Sequence, residues 1–155
     1  MVHVRFALLG DRGVEFLNRL SARFPVVRDR AWASGRLAAA DVSAAVRACD
    51  LLFQPYPDGV TTRRTSVMAG LANGVPVVTT DGTLTEEVWR ETKAAVLVSP
   101  TQAPRAVEAV RRLLDSADER GALGRQGRQV YTARFSIERT IEALRASRPL
   151  EVAAG

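Results

Sequence analysis

The feature that most constrains this chain is a recurring pair of signals. A short apolar run closed by glycine or proline is followed by a segment whose apolar residues recur at helical spacing. Val4-Arg5-Phe6-Ala7-Leu8-Leu9 ends at Gly10-Asp11-Arg12-Gly13, and Val14 to Phe24 then carries Phe16, Leu17, Leu20 and Phe24 on one stripe until Pro25. The first pattern reads as a buried strand and the second as a helix. A weaker strand is expected at Val26-Val27, ahead of the stretch Ala31 to Leu37. Asp41 is placed to cap a helix with Val42, Ala45, Val46 and Cys49 on one face. Asp50 to Pro55 is the next strand, followed by a polar loop from Tyr56 to Arg64 and a short helix over Thr65 to Ala72. That helix stops at Asn73-Gly74. Val75 to Thr80 is a strand closed by Asp81-Gly82, Leu84 to Glu91 a short helix, and Ala94 to Val98 the last strand. From Pro104 onward only helical signals remain: a stripe of Val107, Val110, Leu113 and Leu114, a second segment over Asp118 to Val130, and a final helix capped by Ser136 with Ile137, Ile141 and Leu144.

Strands alternating with helices of this length imply a parallel sheet covered on both faces. The expected fold is α/β: a single Rossmann-like domain over residues 1–148, helical at its C-terminus, with a frayed tail over 149–155. A length of 155 residues suits one domain. Ligands of such sheets bind at the carboxyl ends of the strands. That rule selects the loops Gly10 to Gly13, Ser34 to Leu37 and Asp58 to Ser66, together with Asp81-Gly82.

Composition removes several function classes. The net charge of +5 comes from basic residues spread along the chain, and aromatic residues make up only 6%. No basic stretch interleaved with aromatics is present to grip a nucleic acid, so none is expected as a partner. A positive field suits a phosphorylated ligand or an anionic membrane face. One histidine, His3, and one cysteine, Cys49, cannot build a zinc site. Cys49 sits on an apolar stripe and reads as a buried, inert thiol. Trp32 and Trp89 read as packing residues. Gly10 and Gly13 are half of a dinucleotide fingerprint without its full spacing, and no glycine-lysine-serine/threonine follows to make a P-loop. No cofactor is expected. No apolar run approaches the roughly 20 residues needed to span a bilayer. Met1 to Gly10 lacks the features of a signal peptide, so the cytoplasm is the expected compartment.

The loop Asp58 to Ser66 carries the chemistry. Gly59 permits close backbone approach, Thr61 and Thr62 add hydroxyls, Arg63 and Arg64 add cationic forks, and a helix with unpaired amides follows. A helix N-terminus with these neighbours suits a diphosphate. The plainer reading is that the threonines cap the helix and the arginines face solvent. Glu86 and Glu87 either contact a donor sugar or form a solvated first helical turn favoured by the macrodipole.

The stretch Asp50 to Gly82, DLLFQPYPDGVTTRRTSVMAGLANGVPVVTTDG, resembles the signature region of the C-terminal domain of GT-B-fold glycosyltransferases, most closely the large retaining, family-4-like group. That group has a strand ending in proline, an acidic residue before a glycine, a second acidic residue eight positions on, an alanine-rich helix, and glycine before Pro-Val-Val. Ala69 to Val78 fits the second half closely, Ser34-Gly35-Arg36-Leu37 is similar to the turn near the nucleotide base, and Tyr131 to Phe135 is similar to the crossing segment before the last helix. The chain departs from the pattern twice: the first glutamate falls at Asp58 and the second, which faces the donor ribose, at Ser66.

The resemblance implies a nucleotide-sugar donor-binding domain. Asp58 would orient the donor, while Gly59, Val60, Thr61, Thr62, Arg63 and Arg64 would hold the diphosphate. Ser66 would lie near the ribose, with Gly10, Arg12 and Arg36 near the nucleotide. The implied partners are a nucleoside diphosphate sugar and an N-terminal acceptor-binding domain, expected outside these residues on the same or a separate chain. Without it the chain is expected to be inactive alone. Peripheral membrane association through the full enzyme is compatible with this reading. The alternative is a non-catalytic flavodoxin-like module that binds a nucleotide or a protein partner.

Overall fold

A computed structural model describes residues 4–146. The expected tail over 149–155, and His3, lie outside the described residues. The chain divides into two compact units, Met1–Ala48 and Cys49–Gly155.

The first unit contains β1 (Phe6–Leu9), α1 (Gly13–Arg23), β2 (Ala31–Gly35) and α2 (Ala39–Arg47). β1 and β2 are parallel, with Ala7 opposite Trp32 and Leu8 opposite Ala33. α1 begins so close to this pair that a methyl group on Gly13 would sit 2.8 Å from the Leu8 carbonyl oxygen and 3.4 Å from Ala33 Cβ. Small residues in β2 permit that approach and also conceal the strand from an apolarity count. Val26-Val27, expected as the second strand, is instead a 3-10 turn over Pro25–Val27, because Pro25 fixes a turn-compatible φ at its first position. Asp41 lies in the first turn of α2 and Ala38 holds the cap position, so the carboxylate favours the helix through its dipole and does not cap it. Cys49 is half-buried beyond the end of α2, and burial followed by the neighbouring charge of Asp50 pushes its thiol pKa up, as suits an inert thiol. Trp32, expected to pack, is 51% exposed.

The second unit contains β3 (Leu52–Gln54), α3 (Thr65–Ala72), β4 (Val77–Thr80), α4 (Glu87–Thr92), β5 (Val96–Val98), α5 (Ala103–Asp115), α6 (Ala117–Val130) and α7 (Ile137–Ala146). Its sheet runs β3-β4-β5, parallel throughout, and every residue of β4 is buried. Neighbouring residues of β4 point to opposite faces, and each face has its own helix. Val77 meets Gly70 of α3, where an added methyl group would come within 2.7 Å of it. Val78 packs with Val98 and with Ala109 and Leu113 of α5. The parallel α/β class and helical C-terminus follow the sequence reading. Among the described residues the strands form two hydrogen-bonded sheets, where one was expected.

The C-terminal helices are tied in by small residues and caps. Gly124 and Gly127 of α6 lie against the Gly74 carbonyl and Leu71, leaving no room for a side chain. Ser116 caps α6 by accepting from the Glu119 amide at 3.2 Å, and Ser136 receives the Arg139 amide at 3.4 Å at the start of α7. Between α6 and α7, Tyr131–Phe135 forms a π-helical turn that the helical spacing does not reveal. It places Phe135 in a near-parallel stack on Trp89, with ring centroids 6.1 Å apart.

Candidate functional site

The site grows from the ends of β3 and β4. After Gln54 the chain leaves the ladder, and threonine hydroxyls take over the pairing. Thr79 Oγ1 donates to the Gln54 carbonyl at 2.7 Å. Thr80 Oγ1 accepts from the Tyr56 amide at 2.8 Å and donates to the Tyr56 carbonyl at 2.6 Å. The chain then turns, with the Gly59 amide donating to the Tyr56 carbonyl at 3.1 Å, Val60 N–H to Thr80 O at 2.9 Å, and Leu84 N–H to Asp58 O at 2.8 Å.

Gly59 has φ +93° and is pressed against the β4–α4 loop: an added Cβ would overlap Thr85 Oγ1 and lie 2.5 Å from the Gly82 amide nitrogen. A Cβ on Gly82 would lie 2.6 Å from the Asp58 carbonyl carbon. Two backbones in contact need glycine on both sides, and the pair Asp58-Gly59 and Asp81-Gly82 supplies it. The Asp81 end is fixed in turn by Arg90, whose Nη2 lies 2.6 Å from Asp81 Oδ1 while its Nη1 reaches the Thr85 carbonyl and Glu87 Oε2. On this turn the Asp58 side chain is exposed, and among the described residues it forms no hydrogen bond or ion pair.

Beyond the turn, the expected ligand residues divide. Val60 is 0% exposed and its amide is engaged with Thr80, so its side chain belongs to the core. Thr62 gives its amide to Glu86 Oε2 and its hydroxyl to Glu86 Oε1, the latter at 2.8 Å. Desolvation pushes the Glu86 carboxyl pKa up. The bonds from the Thr62 hydroxyl and amide and from Trp89 Nε1, with the charge of Arg63, outweigh that and hold it below the ordinary glutamate range. Arg64 lies over the Tyr56 ring, 4.3 Å from its centroid, with its Nε buried and without a partner. Its guanidinium is therefore stacked on the protein, with Arg64 partly exposed. Arg63 is exposed, and among the described residues it makes no side-chain hydrogen bond. Ser66 Oγ lies 2.7 Å from the Tyr56 hydroxyl, which also donates to Gln54 Oε1 at 3.3 Å.

α3 starts at Thr65, and no side chain caps it. The first amides of a helix have no partner inside it and carry the positive end of its dipole. Asp58 and Arg63 thus lie on the segment that joins β3 to α3, and Ser66 lies in the open first turn of α3. In the first unit, Gly10, Arg12 and Arg36 share the carboxyl edge of β1 and β2. The Gly10 amide donates to Ser34 Oγ at 3.2 Å, and Arg12 sits at the N-cap of α1. Arg36 is already paired through both arms with Asp11, at 2.7 and 3.1 Å.

Sequence reasoning missed the supporting roles of Tyr56, Thr85 and Arg90, and it left Glu86 between a donor contact and a solvated turn. The threonine pair closing β4 was the available signal, since polar residues at the end of a buried strand need partners. No group of three metal-ligating side chains occurs among the described residues. No described helix is long and apolar enough to cross a membrane.

Parallel strands alternating with helices, with an open helix N-terminus at the carboxyl end of the sheet, place the chain in the Rossmann-like α/β class. The sequence matches the glycosyl transferase-like family over residues 2–146, and the chain belongs to that family. No protein of curated function matches it. Among solved structures it is similar to WaaG, a glycosyltransferase involved in lipopolysaccharide biosynthesis, with 20% identity and a TM-score of 0.66 over 92% of this chain and 38% of that one. It is also similar to Alr3699/HepE of Anabaena, solved in complex with UDP-glucose, with 19% identity and a TM-score of 0.66 over 93% of this chain and 41% of that one. At these identities the likeness concerns the fold, and the chain spans about two fifths of the length of each relative.

Proposed function

We propose that this chain is the donor-binding part of a retaining-type glycosyltransferase and that its ligand is a nucleoside diphosphate sugar. The observation that carries the reading is the uncapped first turn of α3, preceded by the exposed Arg63 on a loop that begins at the Asp58-Gly59 turn. Backbone amides and a guanidinium are the donors a diphosphate needs. A carboxylate on the same loop suits the hydroxyls of the attached sugar. Family membership, and a relative of the same fold solved with UDP-glucose, support this choice of ligand.

In this role the amides of Thr65 and Ser66, with Arg63, stabilise the charge that builds on the departing diphosphate, the electrostatic part of transfer. Ser66 lies towards the ribose, with the Tyr56 hydroxyl fixing its orientation, and Thr61 borders the phosphates. In the first unit, the edge carrying Gly10, Arg12 and Arg36 is proposed as a nucleotide contact, which Arg36→Ala tests. Transfer requires an acceptor-binding domain, on the same or a separate chain. We place the protein in the cytoplasm, with any membrane association peripheral and made through the full enzyme.

A second reading, a non-catalytic flavodoxin-like module, is favoured by one observation: Ser66 replaces a carboxylate and is bonded to Tyr56. Calorimetric titration separates the two. The donor reading predicts selective binding of one among uridine, guanosine and adenosine diphosphates, in preference to its monophosphate. It also predicts at least about a tenfold loss on Arg63→Ala, the effect of removing a charge-assisted bond. Equal binding of mono- and diphosphates, or none, would overturn it and leave the second reading.

A further inference from the structure

Thr62 carries the amide that a phosphate would be expected to meet, yet it already holds an anion, and the anion is the protein's own. Glu86 sits at the N-cap of α4, where its carboxylate accepts the amide and hydroxyl of Thr62, one on each oxygen. Oε2 also receives the indole N–H of Trp89 at 3.3 Å. Trp89 is 1% exposed and stacked on Phe135, so the carboxylate is tied at one end to the core of the unit. At the other end it grips the middle of the loop. Val60 upstream is bonded to Thr80, and α3 begins downstream at Thr65. Among the described residues of the intervening segment 61–63, Thr62 alone hydrogen-bonds to another element.

We propose that Glu86 is a positioning residue for donor binding: by clamping Thr62 it sets the segment that presents Arg63 and the first turn of α3 to the donor diphosphate. The proposal rests on the donor-binding reading above. The chemistry of the clamp is specific. A carboxylate offers two acceptors side by side, matching the N–H and O–H of one threonine. A glutamine of the same shape turns an NH2 toward one of those donors and breaks half of the clamp. Phosphate oxygens are then left to the open α3 amides and to Arg63, while Thr62 serves as the hinge pin of the loop.

The test uses the full chain in four forms: wild type, Glu86→Gln, Thr62→Val and Thr62→Ser. Two readouts are taken, hydrogen exchange at the Thr62 amide and calorimetric affinity for UDP, GDP and ADP. Glu86→Gln is expected to speed exchange at Thr62 by about tenfold, the scale of a bond to a charged acceptor. The Val60 amide, bonded to Thr80, should keep its rate, which a general loss of stability would not allow. Affinity for the preferred diphosphate should fall by about tenfold in Glu86→Gln and by severalfold in Thr62→Val, which keeps the amide bond. Thr62→Ser retains both donors and should restore wild-type binding.

Unchanged exchange at Thr62 in Glu86→Gln would overturn the proposal. So would unchanged affinity, or tighter affinity, which would mean that the carboxylate obstructs the phosphate. If wild type binds none of the diphosphates, the donor-binding reading fails by itself, and the role given to Glu86 in donor binding fails with it. Exchange at Thr62 would then report only whether Glu86 sets the loop.

Discussion

Replacing Gly59 by alanine tests whether the β3 and β4 loops are pressed together as the structure has them. Two costs combine at this position. At φ +93° an L-residue is strained by about 1–2 kcal/mol. The new Cβ would also overlap Thr85 Oγ1 and sit 2.5 Å from the Gly82 nitrogen, a backbone atom that cannot rotate away. Overpacking of that kind costs about 1–3 kcal/mol. The sum is about 2–5 kcal/mol, a large share of the stability of a small domain. Two controls separate the contributions. Gly74 also has positive φ, +68°, but an added Cβ there would meet nothing closer than 3.8 Å. Gly74→Ala should therefore show the dihedral strain alone, offset in part by the stiffer unfolded chain, for a net cost of about 1 kcal/mol. Gly82 has no positive φ but equally tight surroundings, so Gly82→Ala should show the steric cost alone, about 1–3 kcal/mol. Urea titration and thermal melting measure all three, and for a chain of 155 residues each kcal/mol lowers Tm by about 2–4 °C. If Gly59→Ala and Gly82→Ala cost no more than Gly74→Ala, the close approach is refuted.

Three further outcomes follow from the same geometry. Glu86 is held below the ordinary carboxylate range in the folded protein, so its contribution to stability is present above the unfolded value of about 4.3 and is lost as pH falls through the lower folded value. Glu86→Gln should flatten that part of the acid limb of a stability–pH curve, and an unaltered limb contradicts the hydrogen bonds assigned to it. Arg90 joins Asp81, Glu87 and the Thr85 carbonyl with a side chain 39% exposed. Arg90→Ala should lower the urea midpoint slightly, because solvent screens the pairs, and Arg90→Lys should recover little, because a single ammonium cannot copy the planar fork. Trp89 is 1% exposed and Trp32 is 51% exposed. Acrylamide should accordingly quench the emission of Trp89→Phe, which reports Trp32, and spare that of Trp32→Phe; equal quenching would refute the buried stack on Phe135.

Much of the second unit was legible in the sequence because each of its signals is local. α3 follows the expected bounds, about Thr65 to Ala72, since Asn73-Gly74 marks its end and Gly74 adopts the left-handed conformation expected after a helix. The first unit was harder. β2 is built of Ala31, Trp32, Ala33, Ser34 and Gly35; apart from the exposed Trp32 its side chains are small, which suits close contact with α1 but leaves no apolar run, so Val26-Val27 took its place in the reading. Within the site, the loop and its glycine were legible because both are consequences of local sequence. The partners of Thr62 and Tyr56 were not. Glu86 is 24 residues from Thr62, and nothing in a single sequence distinguishes a carboxylate that clamps a loop from one that faces water. Val60 shows the converse: a residue inside the candidate loop is 0% exposed, as suits an apolar side chain, and nothing local in the sequence sets it apart from its neighbours.

The most direct test of the central claim is amide chemical-shift mapping of the full chain on titration with the preferred nucleoside diphosphate. Saturable shifts concentrated at Asp58, Arg63, Thr65 and Ser66, and absent with the monophosphate at equal concentration, are the predicted result. Shifts that spare the first turn of α3, or that appear equally with the monophosphate, would contradict a diphosphate site there.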